Sequence, residues 1–277
     1  MFGKSFKQAI GHLAILRVYS WINTISLGVI AVLLSGSGNF FGAIVLSLLL
    51  WFVVNFVSEF FQKDAGRVQP NKFTLLLLAG LMLLFLNNVF ALLSGVIFLL
   101  MSIGYAQKKR KSIGVFSFIF RGVQEAFIFL TVLFYAGGSL SSLSILFAFF
   151  VFAFIGARSL IGDLRDFKTD LTTLPVRTSI FFSQVVSLVL LCISCIFSFL
   201  FLPNLLLIIP IILVIVLLFL YNLLKLHRAV LILTTAYFVF VIMLLTADWL
   251  WGVVILADVV VVKLTYKSVY RKINIHL

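Results

Sequence analysis

Eight acidic side chains among 277 residues hold most of the chemistry this sequence can offer. Five of them fall in two short polar segments, Glu59 with Asp64 and Asp163 with Asp166 and Asp170. On a helix, positions i, i+3 and i+7 share a face, so the second set is expected to aim three carboxylates one way. Neighbouring carboxylates repel unless a cation or a base sits among them. A hard divalent ion such as Mg²⁺ takes oxygen ligands, usually one or two carboxylates together with substrate phosphates. Bases in and beside the same segments, Lys63, Arg67, Lys72, Arg158, Arg165, Lys168 and Arg177, suit phosphate oxygens. Acids for a metal beside bases for phosphate describe a diphosphate site. The same residues also fit a plain solvated turn, in which Arg165 and Lys168 balance the aspartates.

The elements that must position these residues are apolar. The chain is 64% hydrophobic and 10% charged, with 32 Phe. Soluble domains carry about 25% charged and 45–50% apolar residues, which excludes an ordinary soluble enzyme. Two cysteines, Cys192 and Cys195, exclude a disulfide scaffold, and without polar low-complexity tracts a disordered chain is excluded too. Runs near 20 apolar residues cross a bilayer as helices. Ten segments qualify, at about 12–34, 40–61, 73–87, 89–106, 113–135, 140–161, 178–201, 204–223, 229–246 and 250–262. Nine crossings remain if the last lies at the interface. The expectation is an all-α, polytopic transmembrane helical bundle, forming one domain over residues 1–277.

Charge orients the bundle. Lys and Arg occur in alternate connections: Lys63, Arg67 and Lys72; Lys108 to Lys111; Arg165, Lys168 and Arg177; Lys225 and Arg228; then Lys263, Lys267, Arg271 and Lys272 after the last segment. The intervening connections have none. By the positive-inside rule, both acidic loops and both termini are expected in the cytoplasm. The net charge of +13 is accounted for by these loops, so no nucleic-acid partner is expected. The first apolar run, after Lys4, Lys7 and Arg17, is expected to serve as an uncleaved insertion signal.

Other polar residues stand inside the apolar runs. Arg121 and Glu125 are four apart and can pair along one helix face, as a structural pair or as the lining of a pathway. Asp258 suits a proton or substrate site, or an interfacial position near Lys263. Asn87 and Asn88 read as a tight turn. Cys192 and Cys195 lack the further ligands of a zinc site and are expected to pack in the core. The three histidines are scattered, and no His-based site is expected.

In order and spacing along nearly the whole chain, this pattern resembles the UbiA superfamily of intramembrane aromatic and lipid prenyltransferases. The run Arg158-Ser159-Leu160-Ile161-Gly162-Asp163-Leu164-Arg165-Asp166-Phe167-Lys168-Thr169-Asp170 looks like the family's D-x-x-D-x-x-x-D element, and Thr173-Leu174-Pro175-Val176 is similar to the T-L-P-V run that closes it. Tyr105-x-x-Lys108-Lys109-Arg110 resembles the Y-x-x-x-K-R connection. The first motif departs from N-D-x-x-D-x-x-x-D. Asn55 matches, but Phe56 stands at the first Asp, Glu59 replaces the next and Lys63 takes the last acidic position. Asp64 follows one residue on, and Pro70-Asn71-Lys72 stands for the Pro-x-Arg segment.

The resemblance implies Mg²⁺-dependent transfer of an isoprenyl group from a polyprenyl diphosphate to an aromatic or lipid acceptor within the membrane. It implies Asp163, Asp166 and Asp170 as catalytic residues, with Asn55, Glu59 and Asp64 completing the metal set. Asn55, Lys63, Lys72, Tyr105, Lys108 and Arg158 would hold the diphosphate. The bundle would surround a central cavity, and the isoprenyl chain would lie between helices, in contact with membrane lipid. The altered first motif leaves other readings open: a terpene cyclase, phosphoribosyl transfer to a polyprenyl phosphate, or a non-catalytic lipid-binding protein or transporter.

Overall fold

A computed structural model of the protein describes residues 21–62, 72–107, 114–167, 173–220 and 223–261. Lys63, Asp64, Lys108 and Asp170 lie outside the described residues. Glu59 and Lys72 are placed by their backbone alone.

Among the described residues the chain is helical and has no strand. The helices are α1 (Trp21–Ser35), α2 (Phe40–Gln62), α3 (Lys72–Leu84), α4 (Val89–Ala106), α5 (Ser117–Tyr135), α6 (Ser142–Arg165), α7 (Ile180–Phe201), α8 (Ile209–Leu220), α9 (Leu223–Thr246) and α10 (Trp251–Val261). Each apolar segment marked in the sequence falls on one of them. Six (α2, α4, α5, α6, α7 and α9) hold stretches long and apolar enough to cross a membrane, whereas α1, α8 and α10 are shorter apolar helices. The protein is an integral membrane protein with a polytopic helical bundle. The expected nine or ten crossings go beyond these six.

Turns are set by local chemistry. Asn88 caps α4, its Oδ1 accepting from Ala91 N at 2.8 Å, and its Nδ2 donates to Phe134 O at 2.8 Å. Asn87 Nδ2 adds a bond to Tyr135 O at 3.3 Å. The expected asparagine turn is therefore also a clamp on the end of α5. Gly137, with φ +79°, takes the left-handed conformation that closes the turn after α5. Ser141 and Ser179 cap α6 and α7 by accepting from Ser144 N and Phe182 N.

Helices α1, α5, α6 and α9 form the centre, and α6 packs on α5, α7 and α9. Two backbones meet where side chains are small: a Cβ built on Gly122 of α5 would stand 2.5 Å from Phe152 O of α6. On the far side of α6, the buried face of α7 is Ser183, Ser187, Leu191, Ser194, Ser198 and Phe201. Its outer face exposes Phe181, Val189, Ile196 and Leu200. Small polar residues face inward and large apolar ones face lipid, the arrangement expected when the solvent is hydrocarbon. Cys195 is half-buried on this helix, but Cys192 is exposed. The expected core position fails for Cys192, because the serines already occupy the helix face that packs on α6.

An aromatic core fills the space between α5, α6, α7 and α9. Phe147 packs on Phe129 and Phe201, each with centroids 4.9 Å away, and Phe150 stacks on Tyr237 at 4.4 Å. Tyr237 is fully buried, and its hydroxyl lies 2.6 Å from Ser198 Oγ. Such pairs add about 0.5–1.5 kcal/mol each beyond area burial.

Candidate functional site

The site is assembled from the C-terminal end of α6 and the N-terminal halves of α5 and α9. Arg158 and Asp163 stand on the last two turns of α6 and are 7% and 3% exposed. Asp163 accepts from Ser117 Oγ at 2.6 Å, across to the first residue of α5. A carboxylate has several acceptor lone pairs, and a buried acid of this kind suits a hard cation or a set of donors.

Helix α6 ends at Arg165, and Asp166 is its C-cap. The single helical face expected to run from Asp163 to Asp170 therefore stops at Arg165. The cap residue leaves the helix with φ −95° and ψ 10°, so α6 itself carries only Asp163 of the three, with Asp166 at its cap. Asp166 pairs with its neighbour: Arg165 Nε donates to Oδ1 at 2.6 Å, and Nη2 pairs with Oδ2. The third guanidinium arm reaches α9, where Arg165 Nη1 lies 2.8 Å from His227 Nδ1. Gly162 makes room, since a Cβ there would come within 3.3 Å of His227 Nε2.

The connection after α6 keeps close to this end. Thr173 is the N-cap of a one-turn helix, Leu174–Arg177, and Thr173, Leu174 and Pro175 are buried. Pro175 falls in its first turn, where a missing N–H costs nothing. The T-L-P-V run is thus the packed corner that turns the chain into α7.

A second polar group lies on the same face of α5. Ser117, Arg121 and Glu125 are four residues apart, so they stack along one side of that helix. Arg121 Nη2 pairs with Glu125 Oε1 at 2.6 Å, and Nη1 donates to Gln124 Oε1 at 2.6 Å. Gln124 Nε2 passes the network to Ser102 Oγ of α4 at 2.7 Å. The guanidinium carbon lies 5.4 Å from the centroid of Trp51 on α2 and 5.4 Å from that of Tyr105 on α4. A cation held by two aromatic faces and a carboxylate is strongly fixed. Asn55, one turn beyond Trp51, is buried and donates from Nδ2 to Trp51 O at 2.8 Å.

The face of α5 therefore joins the two motif-bearing helices: Ser117 holds Asp163 on α6, and Arg121 holds Trp51 on α2. Of the residues singled out in the sequence, Asp163, Asp166 and Arg158 share the end of α6, and Tyr105 stands against Arg121. Sequence reading found the Arg121–Glu125 pair but missed Ser117, Gln124, Ser102 and Trp51 around it. The four-residue repeat of polar residues on an otherwise apolar α5 was the available signal. His227, expected to take part in no site, carries no local pattern that marks it.

No protein-family model and no curated protein matches the chain in sequence. Two solved structures match it in three dimensions. One is a digeranylgeranylglyceryl phosphate synthase in membranes, with a TM-score of 0.53 and 22% identity over 92% of this chain and 98% of that one. The other is a UbiA homolog from Archaeoglobus fulgidus bound to GPP and Mg²⁺, with a TM-score of 0.50 and 13% identity over 82% of this chain and 98% of that one. With its helices in this order and the acidic end of α6 held by α5 and α9, the chain is an integral membrane protein with the UbiA fold.

Proposed function

We propose that the protein is a Mg²⁺-dependent intramembrane prenyltransferase, moving an isoprenyl group from a polyprenyl diphosphate to a hydrophobic acceptor. The observation that carries the reading is Asp163: a nearly buried carboxylate at the end of α6, anchored to Ser117 of α5, in a chain with this fold. The residues fit the ion chemically, because Asp163 and Asp166 offer hard oxygen donors and Arg158 adds buried positive charge for phosphate. Asp163, Asp166 and Asp170 would hold Mg²⁺ from one side, and Asn55, Glu59 and Asp64 from the other. When bound, the ion supplies positive charge to the departing diphosphate.

The chain's own residues do the rest. Arg158, Lys63, Lys72 and Lys108 neutralise the remaining phosphate oxygens, charges fixed in advance of the charge that develops. Tyr105 lines this end through its contact with Arg121. Lys63, at the position of an acid in the family motif, takes a phosphate oxygen in place of the metal. Lipid-facing apolar surfaces give the isoprenyl chain a hydrocarbon path that excludes water from the reacting carbon. A lipid acceptor is favoured over an aromatic one by the likeness to a synthase of a glyceryl phosphate lipid. Alternate Lys- and Arg-rich connections put the acidic loops and both termini in the cytoplasm, with ten crossings.

The test is diphosphate release and thermal stabilisation of the purified protein by geranylgeranyl diphosphate, with Mg²⁺ and with EDTA. Mg²⁺-dependent stabilisation and release, both lost in Asp163→Asn, are expected. Stabilisation that survives EDTA and Asp163→Asn would instead identify a lipid-binding protein or carrier.

A further inference from the structure

At the acidic end of α6, one contact comes from a residue that no motif marks. Ser117 is the first residue of α5 and is 0% exposed, and its Oγ lies 2.6 Å from Asp163 Oδ2. Both groups are out of water, where a hydrogen bond holds its partners more firmly than at a surface. A carboxylate that binds a metal ion is ionised, and an ionised carboxylate only accepts. In that state the hydrogen between the two oxygens belongs to Ser117, and the bond is of the short, charge-assisted kind.

A serine side chain is short, so the bond needs two helices close together and in register. Two features supply that. Gly122 of α5 and Gly156 of α6 face each other: a Cβ built on Gly122 would stand 3.4 Å from Gly156 Cα, and one built on Gly156 would stand 3.5 Å from Phe118 O. The single 3-10 turn Gly114–Phe116, which leads into Ser117, packs against the Leu174–Arg177 turn, and that turn packs on α6. The start of α5 is thus pinned beside the acid. Its hydroxyl is neutral, so it orients Asp163 without cancelling its charge, whereas Asp166 is paired with the Arg165 cation.

We propose that Ser117 is a positioning residue of the metal site: it fixes the rotation of the Asp163 carboxylate and, through it, the affinity for Mg²⁺. The inference rests on the prenyltransferase reading and adds to it a residue outside both acidic motifs. Groups that orient metal ligands are usually worth roughly 10- to 100-fold in metal affinity.

The experiment is a Mg²⁺ titration of the purified full chain in lipid nanodiscs, with geranylgeranyl diphosphate held constant. Thermal stabilisation reports binding, diphosphate release reports turnover, and the melting temperature in EDTA reports the fold. Three variants separate the hydroxyl from its volume: Ser117→Ala removes it, Ser117→Cys fills the space with a weak donor, and Ser117→Thr keeps it. In Ser117→Ala and Ser117→Cys the Mg²⁺ half-point is expected to rise by about 10- to 100-fold in both readouts. Ser117→Thr should stay near the wild-type value, and Ser117→Cys should melt near wild type in EDTA. A wild-type half-point in Ser117→Cys would overturn the proposal, since filling the space would then suffice. So would an equal rise in all three variants, which would show that the hydroxyl is not what matters. If Ser117→Ala fails to fold, Ser117→Cys against Ser117→Thr decides alone. Wild-type protein that Mg²⁺ does not stabilise would instead overturn the prenyltransferase reading, and this inference with it.

Discussion

Arg165 on α6 and His227 on α9 meet through Nη1 and Nδ1 at 2.8 Å, across 62 residues of chain. A guanidinium can only donate, so Nδ1 must be the unprotonated nitrogen and His227 is the neutral tautomer with its proton on Nε2. The contact holds Arg165 in the orientation that grips both oxygens of Asp166. In this way α9 helps to set the attitude of a carboxylate at the end of α6.

His227→Leu is therefore expected to loosen Asp166 while leaving the bundle intact. Groups that orient metal ligands usually cost 10- to 100-fold in metal affinity or activity when removed, so a loss of about that size is expected here. A Mg²⁺ titration of diphosphate release checks it, with thermal stability measured alongside. His227→Gln, which keeps an acceptor, should recover part of the loss. A purely packing role would show no difference between the two variants.

Glu125→Ala strands the Arg121 cation in a buried position. Breaking one half of such a pair typically costs about 3–5 kcal/mol, whereas replacing both halves by apolar residues is often neutral. The double variant Arg121→Met with Glu125→Leu should therefore melt closer to wild type than Glu125→Ala does. Thermal denaturation in detergent measures both. The double variant should still lose turnover, because Trp51 and Tyr105 no longer share a fixed cation between α2 and α4.

Gly122→Ala should destabilise the bundle by roughly 1–3 kcal/mol, the usual cost of overpacking. The new methyl meets the backbone carbonyl of Phe152 at 2.5 Å, and a backbone cannot swing aside. Gly80→Ala is the matching control: nothing lies within 4 Å of its Cβ position on α3. That change should stabilise by up to about 1 kcal/mol through helix propensity. Paired melting curves read the contrast.

Asn88→Ala acts at the opposite end of the molecule. It removes an N-cap worth about 1 kcal/mol and the clamp on Phe134 O. Stability should fall while the Mg²⁺ dependence of diphosphate release stays put. A shifted Mg²⁺ dependence would mean that the two ends are coupled.

Helix positions were legible in the sequence because a chain that must satisfy its backbone in hydrocarbon has little alternative to helices. Facing was less legible. Leu, Val and Phe serve both the core and the lipid surface, so apolar periodicity does not say which side of α7 is inside. Its serines did carry that information, and they explain why Cys192 points outward. At the site, the acidic run ending α6 was visible as a motif, but the break at Arg165 was not, since Asp166 and Phe167 could extend a helix as well as end one. Contacts such as Ser117 with Asp163 join residues 46 positions apart. Their existence depends on how α5 and α6 cross, which Gly122 permits but does not announce.

The serines of α7 also bear on the order of assembly. Ser187 Oγ donates to Ser183 O and Ser194 Oγ to Leu191 O, each within its own helix. Those hydroxyls are satisfied before any neighbour arrives, so α7 can enter the bilayer alone at little cost and dock later on α6. Ser198 differs, because its partner is Tyr237, two helices further along the chain. The bond between them can form only after α9 has been threaded into the membrane. Biogenesis thus has a late step, in which the second half of the bundle closes around an aromatic core that the first half cannot complete.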